Sequence, residues 1–228
     1  MTEGESRGAW LAGRRAAVVA DYDADAATYD EQPYPASLQA TFVGRLVGTC
    51  PSGRTVLDAP CGTGRYFATV VDAGRRVVGV DQSAGMLGMA RARGLATRLE
   101  QVGLQELAFE SSFDAAMTVD AMEHVPPEEW PLVLANLRRA IRAGGHLYLT
   151  VEEIDQASID DAYDAALRGD LPVVRGEVIE GDVGGYHFYP GRERVLAWLD
   201  AAGIEVVAEE PDQQDGWAYR HFLLRTPG

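Results

Sequence analysis

The sequence predicts an α/β fold in which a mostly parallel sheet is packed with helices, beneath an N-terminal helical cover and an inserted lid. Three observations carry this reading. Short apolar runs alternate with stretches of helical spacing from Thr55 to Val151, as right-handed strand–helix–strand units do. The first run ends in a glycine turn and the second in an aspartate. The rhythm breaks once, over residues 154–189, and then resumes.

Taken in order, residues 7–20 read as a helix with Trp10, Leu11, Ala17 and Val18 roughly on one side. Residues 21–35, rich in acids and holding Tyr22 and Tyr29, read as a loop or broken helix lying over something, and residues 36–48 resume helical spacing. Thr55–Asp58 is a short apolar strand that ends at Ala59-Pro60-Cys61-Gly62-Thr63-Gly64, with a helix following to about Ala73. Arg76–Val80 is a second strand ending at Asp81, and Ser83 caps a helix to about Arg93. Thr97–Val102 and Phe113–Val119 are the third and fourth strands. The next helix opens on Pro126 and Pro127, places Glu128 and Glu129 at its positive end and Arg138, Arg139 and Arg142 at its negative end, and stops at Gly144. Leu147–Val151 is apolar on nearly every position, as buried parallel strands are. The segment 154–189 carries eight acids, two arginines and five glycines and reads as an insertion. A helix through Val195 and Leu199 follows, then strands Ile204–Ala208 and Tyr219–Leu224 joined as a hairpin. The expected organisation is a cover of residues 1–50 on a core of 51–228 that bears the 154–189 lid, one domain overall.

Composition bounds the function. The 228 residues carry 20 basic side chains, all arginine, against 35 acids, for a formal net charge of −15. A phosphate backbone needs a basic face, so nucleic acid is not an expected partner. Cys50 and Cys61 are too few for a disulfide framework and fit a reducing compartment, the cytoplasm. No run approaches 18 apolar residues, and Glu3, Glu5, Arg14 and Arg15 spoil a signal-peptide pattern, so no membrane partner is expected. None of the four histidines forms an i, i+4 pair with another His or a Cys, and no metal is expected. The expected state is a monomer or homodimer.

In an open α/β sheet the ligand site lies beyond the carboxyl ends of the strands. Gly62 and Gly64 fall just past the first strand and Asp81 ends the second, a pairing suited to the ribose of an adenosine. A dinucleotide fingerprint wants a third glycine where Phe67 stands, and a phosphate loop wants a lysine the chain lacks. Asp58 would repel a pyrophosphate and suits a cationic ligand. S-adenosylmethionine has a ribose, an ammonium and a sulfonium, and no phosphate.

These residues resemble the class I S-adenosylmethionine-dependent methyltransferases, small-molecule group. The matching motifs are Val56–Gly64, Val77–Ser83 followed by Met86-Leu87, Leu107–Phe109 running into Ser112–Asp114, Asp120–Val125, and Leu137–Arg139 through Gly144-Gly145. They come in the family's order and spacing. The resemblance implies a doubly wound, seven-stranded, Rossmann-like sheet and S-adenosyl-L-methionine as methyl donor, with S-adenosyl-L-homocysteine as product. Carried over by position, Asp58 resembles the acid that holds the methionyl ammonium, and Ala59, Cys61, Gly62 and Gly64 line the cofactor with backbone. Asp81 resembles the ribose ligand, Gln82 and Met86 flank the adenosine, and Leu104 matches the backbone N–H that meets adenine. Asp120 is similar to the residue near the methionyl end, and Tyr29 to an aromatic cover. Gly103 stands where many members have an acid on the adenine amino group, which leaves that contact to backbone atoms or Gln105.

His124, Glu152 and His187 are the candidate bases for the acceptor proton, His124 titrating near neutrality. Glu123, Tyr186 and Tyr189 are candidate substrate contacts. The expected reaction is methyl transfer to nitrogen or oxygen of a small molecule, with an amine favoured by the acids at the ends of strands four and five. The alternatives are a non-catalytic cofactor-binding partner subunit and a protein or RNA methyltransferase. The RNA reading is weakened because Asp120-Ala121-Met122-Glu123 replaces the Asn/Asp-Pro-Pro-aromatic motif of amino-methylating nucleic-acid members.

Overall fold

The computed structural model describes residues 6–31, 37–180, 185–214 and 217–228. Ser6 starts the first helix by accepting the Ala9 N–H on its hydroxyl, and α1 runs over Arg7–Asp25. This is longer than its periodicity predicts. Beyond residue 20 the helix is held by tertiary bonds: the Asp23 carboxylate accepts from the Ser83 hydroxyl at 2.5 Å and the Gly85 N–H at 2.8 Å. A 3-10 turn at Tyr29–Glu31 follows. The rest of the expected loop, residues 32–36, lies outside the described residues.

Helix α2 (Ser37–Thr49) leads into β1 (Thr55–Asp58), α3 (Phe67–Asp72), β2 (Arg76–Asp81) and α4 (Ala84–Ala92), which Ser83 caps by accepting the Met86 N–H. Then come β3 (Arg98–Gln101), β4 (Phe113–Thr118), α5 (Trp130–Ala140) and β5 (Ile141–Glu152). Helix α5 is shorter at both ends than its sequence signals. Pro126 and Pro127 lie in a turn in which the Pro126 carbonyl accepts the Glu129 N–H. At the other end Ile141 is already extended and pairs with Phe113. Arg142 reaches across to Asp114 at 2.6 Å, so it belongs to the sheet rather than to the helix dipole. Gly144, at φ +75°, is a bend within β5 and not the helix stop.

The insertion is itself structured. It holds α6 (Gln156–Arg168) and a separate two-stranded sheet of β6 (Glu177–Glu180) against β7 (Gly185–Phe188). Helix α7 (Arg192–Ala201) returns the chain to the core, which closes with the hairpin of β8 (Glu205–Gln214) and β9 (Trp217–Arg225).

The main sheet has seven strands in the order β3-β2-β1-β4-β5-β9-β8. The first five are parallel, and β9 runs antiparallel to both β5 and β8. One face buries Trp130, Leu134 and Leu137 of α5 with Val195 and Leu199 of α7, and the other buries Phe42 and Leu46 of α2 with Phe67 of α3. Helices on both faces make the sheet doubly wound. The strand order reverses between β1 and β4, which opens a crevice at their carboxyl ends. No helix among the described residues is long and apolar enough to cross a membrane.

Candidate active site

A cleft of about 1000 Å³, open solvent included, occupies that crevice. Its floor comes from the ends of β1, β2 and β4. Asp58 closes β1 and is fully buried, with Oδ2 lacking a hydrogen-bond partner among the described residues. Burial, and then the charge of Asp81, push its pKa well above the usual carboxylate range. Asp81 ends β2 and spans two loops: Oδ2 accepts the Gly62 N–H and Oδ1 the Ser83 N–H, both at 2.9 Å. Its pKa is raised too, because burial outweighs those two N–H donors.

The glycines of the turn do different work. Gly62, at φ +52°, would direct a Cβ into open space, so the backbone there can be approached closely. Gly64, at φ +78°, would place a Cβ 2.6 Å from the Phe67 ring, so this position serves the packing of α3. Gly64 and Ala59 do not line the cleft, and neither do Glu123, Glu152, Tyr186, His187 and Tyr189. Tyr29, Asp58, Cys61, Gly62, Asp81, Gln82, Met86, Leu104, Gln105, Asp120 and His124 all do. Burial, and then Asp58 and Asp81, raise the Cys61 thiol, which keeps it protonated. The Gln105 side-chain amide donates to Glu129 at 2.8 Å, and its buried oxygen has no hydrogen-bond partner among the described residues.

Several cleft residues escape the sequence signals. Val18 and Val19 reach it from the expected part of α1, and Tyr22 from its continuation to Asp25. Arg65 places its guanidinium 5.6 Å from the centre of the Tyr29 ring and 3.5 Å from Asp30. Asp30 is fixed to the glycine turn by the Thr63 hydroxyl at 2.8 Å and by Arg93.

From the cleft wall at Asp120 and His124, an acidic and histidine-bearing group extends under the insertion. Asp120 sits just past β4 at φ +53°, with its N–H on the Thr150 hydroxyl at 2.6 Å and its carboxylate taking the Tyr219 hydroxyl. Glu123 is buried with Oε2 lacking a hydrogen-bond partner among the described residues, and burial, then Asp120 and Glu152, raise its pKa strongly. Glu152, at the end of β5, is pushed up to about 7 by burial, then by Asp120 and Glu180. A Tyr189 hydrogen bond on its carboxylate works against that rise. Among the described residues no three His, Cys, Asp or Glu side chains are grouped to hold a metal ion.

The histidines correct the expected titration. Burial, and then His187, push His124 down to about 4, so it is neutral at pH 7 and does not titrate near neutrality. Its Nε2 lies 2.9 Å from the Tyr22 hydroxyl and its Nδ1 3.1 Å from the Tyr186 carbonyl. The His187 ring centre is 5.0 Å from that of His124, and the Tyr189 hydroxyl is 3.4 Å from His187 Nδ1. Side chains alternate along β7. His187 faces His124, whereas the Tyr186 ring turns away, edge-on to Trp10 at 6.1 Å, with its hydroxyl on Glu177 at 2.7 Å. Tyr186 therefore offers this group only its backbone.

A family model described as a methyltransferase domain matches residues 56–145. The malonyl-[acyl-carrier protein] O-methyltransferase of Serratia marcescens is 33% identical over 140 residues, covering 57% of this chain and 50% of that protein. The cypemycin N-terminal methyltransferase of a Streptomyces species is 36% identical over 102 residues, 42% of this chain and 41% of that protein. The chain thus spans about half the length of the curated relatives it matches. Among solved structures, the Burkholderia thailandensis 1,6-didemethyltoxoflavin-N1-methyltransferase, with 1,6-didemethyltoxoflavin and S-adenosylhomocysteine bound, superposes with a TM-score of 0.73 at 19% identity, over 100% of this chain and 93% of that one. With the glycine turn, the two strand-end aspartates and the strand order already in place, residues 56–145 carry a methyltransferase domain on the Rossmann-like fold of the S-adenosylmethionine-dependent methyltransferases.

Proposed function

We propose that this protein transfers a methyl group from S-adenosylmethionine to a small molecule, to nitrogen in preference to oxygen. The observation that carries the preference is the acidic pair of buried Glu123 and Glu152 beside the half-buried Asp120. Burial raises the pKa of Glu123 and of Glu152, and a cation stabilises their charged form, so an entering ammonium and these two acids favour each other.

The residues present fit the cofactor. Asp58, with one unpartnered oxygen, suits the methionyl ammonium, and Arg65 suits the methionyl carboxylate. Asp81 retains lone pairs for the ribose hydroxyls. The unpartnered oxygen of Gln105 suits the adenine amino group, which fills the role that Gly103 leaves vacant beside it. Met86 and Leu104 flank the ring. When bound, the cofactor supplies a methyl group on a sulfonium, already activated for in-line displacement.

The protein's own share is alignment and exclusion of water. Orientation of this kind supplies roughly 7–11 kcal/mol. Residues 7–31 cover the cleft, and residues 154–180 and 185–189 cover the acceptor end. Glu152, poised near neutrality, is the group to take a proton from an acceptor ammonium. His124, already neutral and tied at both nitrogens, positions instead. The protein acts in the cytoplasm as a monomer or homodimer, without nucleic acid or membrane.

The test is a matched panel of amines, phenols and carboxylates with methyl-labelled S-adenosylmethionine, wild type beside Glu152→Gln. Label on amines that falls in the variant is expected. Label confined to phenols or carboxylates overturns the nitrogen preference. Absence of both labelled product and S-adenosylhomocysteine binding overturns the methyltransferase reading.

A further inference from the structure

We propose that Tyr22 is a positioning residue for the methyl acceptor: His124 locks it as a hydrogen-bond acceptor, and it takes an N–H from the incoming amine, selecting amines that still carry a hydrogen. This rests on the reading that the cleft methylates a small amine.

The direction of the chain of hydrogen bonds fixes the role. A backbone carbonyl only accepts, so at 3.1 Å from the Tyr186 oxygen His124 Nδ1 must carry a hydrogen. A neutral imidazole has one N–H, and Nε2 is then a bare lone pair. The Tyr22 hydroxyl, 2.9 Å from Nε2, gives its only proton to that lone pair. The ring is held neutral by its burial and by His187. Nothing remains for the Tyr22 oxygen to donate; Tyr22 lines the cleft, and a contact its oxygen makes there is through lone pairs alone. It lies in the field of Glu123, Asp120 and Asp81, which adds to its appetite for a positive donor. A Tyr22 phenolate is not available, since burial first, then Tyr29 and these carboxylates, raise its pKa strongly.

An amine that points its nitrogen lone pair at a methyl group must direct its N–H elsewhere. Primary and secondary amines have a hydrogen for Tyr22, and a neutral tertiary amine has none. A carboxylate or phenolate would set its own lone pairs against those of Tyr22. The lock draws on two separated segments: Tyr22 comes from α1, and the carbonyl that orients His124 comes from β7 of the insertion. Selectivity then requires both segments to be docked.

Two measurements on the full chain test this. Nitrogen-15 shifts of the His124 ring at neutral pH report the tautomer without any substrate, with His124→Gln identifying the signals. We expect hydrogen on Nδ1 and a lone pair on Nε2, with the Nε2 signal moving in Tyr22→Phe. Hydrogen on Nε2, or a doubly protonated ring, overturns the proposal. The second measurement compares kcat/KM for N-methylbenzylamine and N,N-dimethylbenzylamine with S-adenosylmethionine. Wild type should prefer the secondary amine, and Tyr22→Phe should reduce that preference by about two- to thirteenfold, the worth of one hydrogen bond. His124→Gln, whose side-chain oxygen also accepts from Tyr22, should keep the preference, and His124→Leu should lose it. A preference unchanged in Tyr22→Phe overturns the proposal. So does a wild type that binds S-adenosylhomocysteine and methylates only phenols or carboxylates, an outcome that leaves the cofactor reading standing.

Discussion

Replacing Asp81 by alanine removes one carboxylate that serves two loops and, on the proposed reading, a ribose. In the structure its oxygens accept the Gly62 and Ser83 N–H groups at 2.9 Å each. Both retain lone pairs, and two ribose hydroxyls donating to them would make charge-assisted bonds worth about 1.5–3 kcal/mol apiece. The full sum overstates the loss. Burial raises the pKa of Asp81 despite its two donors, so part of each bond offsets the cost of holding the charge there. A net loss of about 2–4 kcal/mol is expected, roughly a 30- to 850-fold rise in the dissociation constant. Asp81→Asn keeps the shape, but its amide nitrogen faces one of the two backbone N–H groups, and its loss should fall between wild type and alanine. Titration calorimetry with S-adenosylhomocysteine reads the affinity, and a thermal melt of each variant confirms that the sheet is intact. A folded Asp81→Ala that binds within about threefold of wild type would refute the placement of the ribose.

Arg7→Met should loosen α1. The guanidinium reaches Glu177 at 2.6 Å, Glu128 and the Pro172 carbonyl at 2.5 Å, and the Glu177 side chain is fully buried. Breaking a buried pair typically costs about 3–5 kcal/mol, and the remaining Tyr186 and Val174 donors on Glu177 should hold the loss near the low end. Hydrogen exchange over residues 7–25 should accelerate, and exchange equal to wild type would contradict the tether. Glu152 makes stability depend on pH. Its folded pKa of about 7 lies above its ordinary 4.5, so its contribution is complete below 4.5 and lost as pH rises through 7. Over that window the loss is at most about 3 kcal/mol, and Glu152→Gln should remove this part of the slope and melt higher than wild type at pH 8. Denaturant titrations of both proteins at pH 5 and pH 8 would show it, and parallel profiles would count against a buried, destabilised Glu152.

The sheet and the cofactor end of the cleft were legible in the residue pattern. Apolar runs at Val56-Leu57, Val77–Val80 and Ala115–Met117 are local facts, and chain chirality then places the ends of their strands side by side. A strand end with Asp58, a turn with Gly62 and a strand end with Asp81 converge in any such sheet, whatever the side chains elsewhere. The element ends were less so: α5 stops at Ala140 because Ile141 has a partner in Phe113, which no periodicity records. The acceptor end depended on tertiary structure altogether. Tyr22 lines the cleft from the end of α1, where Asp23 bonds to Ser83, sixty residues away. Tyr186 and His187 are neighbours in the chain with similar sequence signals, and strand alternation leaves open which of them faces the site. Trp10 and Glu177 decide it by giving Tyr186 an apolar neighbour and a hydroxyl partner on the far side. His124 carries no mark of its low pKa, since that value comes from burial and from His187 across 5.0 Å. Backbone pattern is set by near neighbours and can be read from order alone. The charge state and direction of a buried polar group are set by whatever the fold brings against it, and that exists only once the chain has closed.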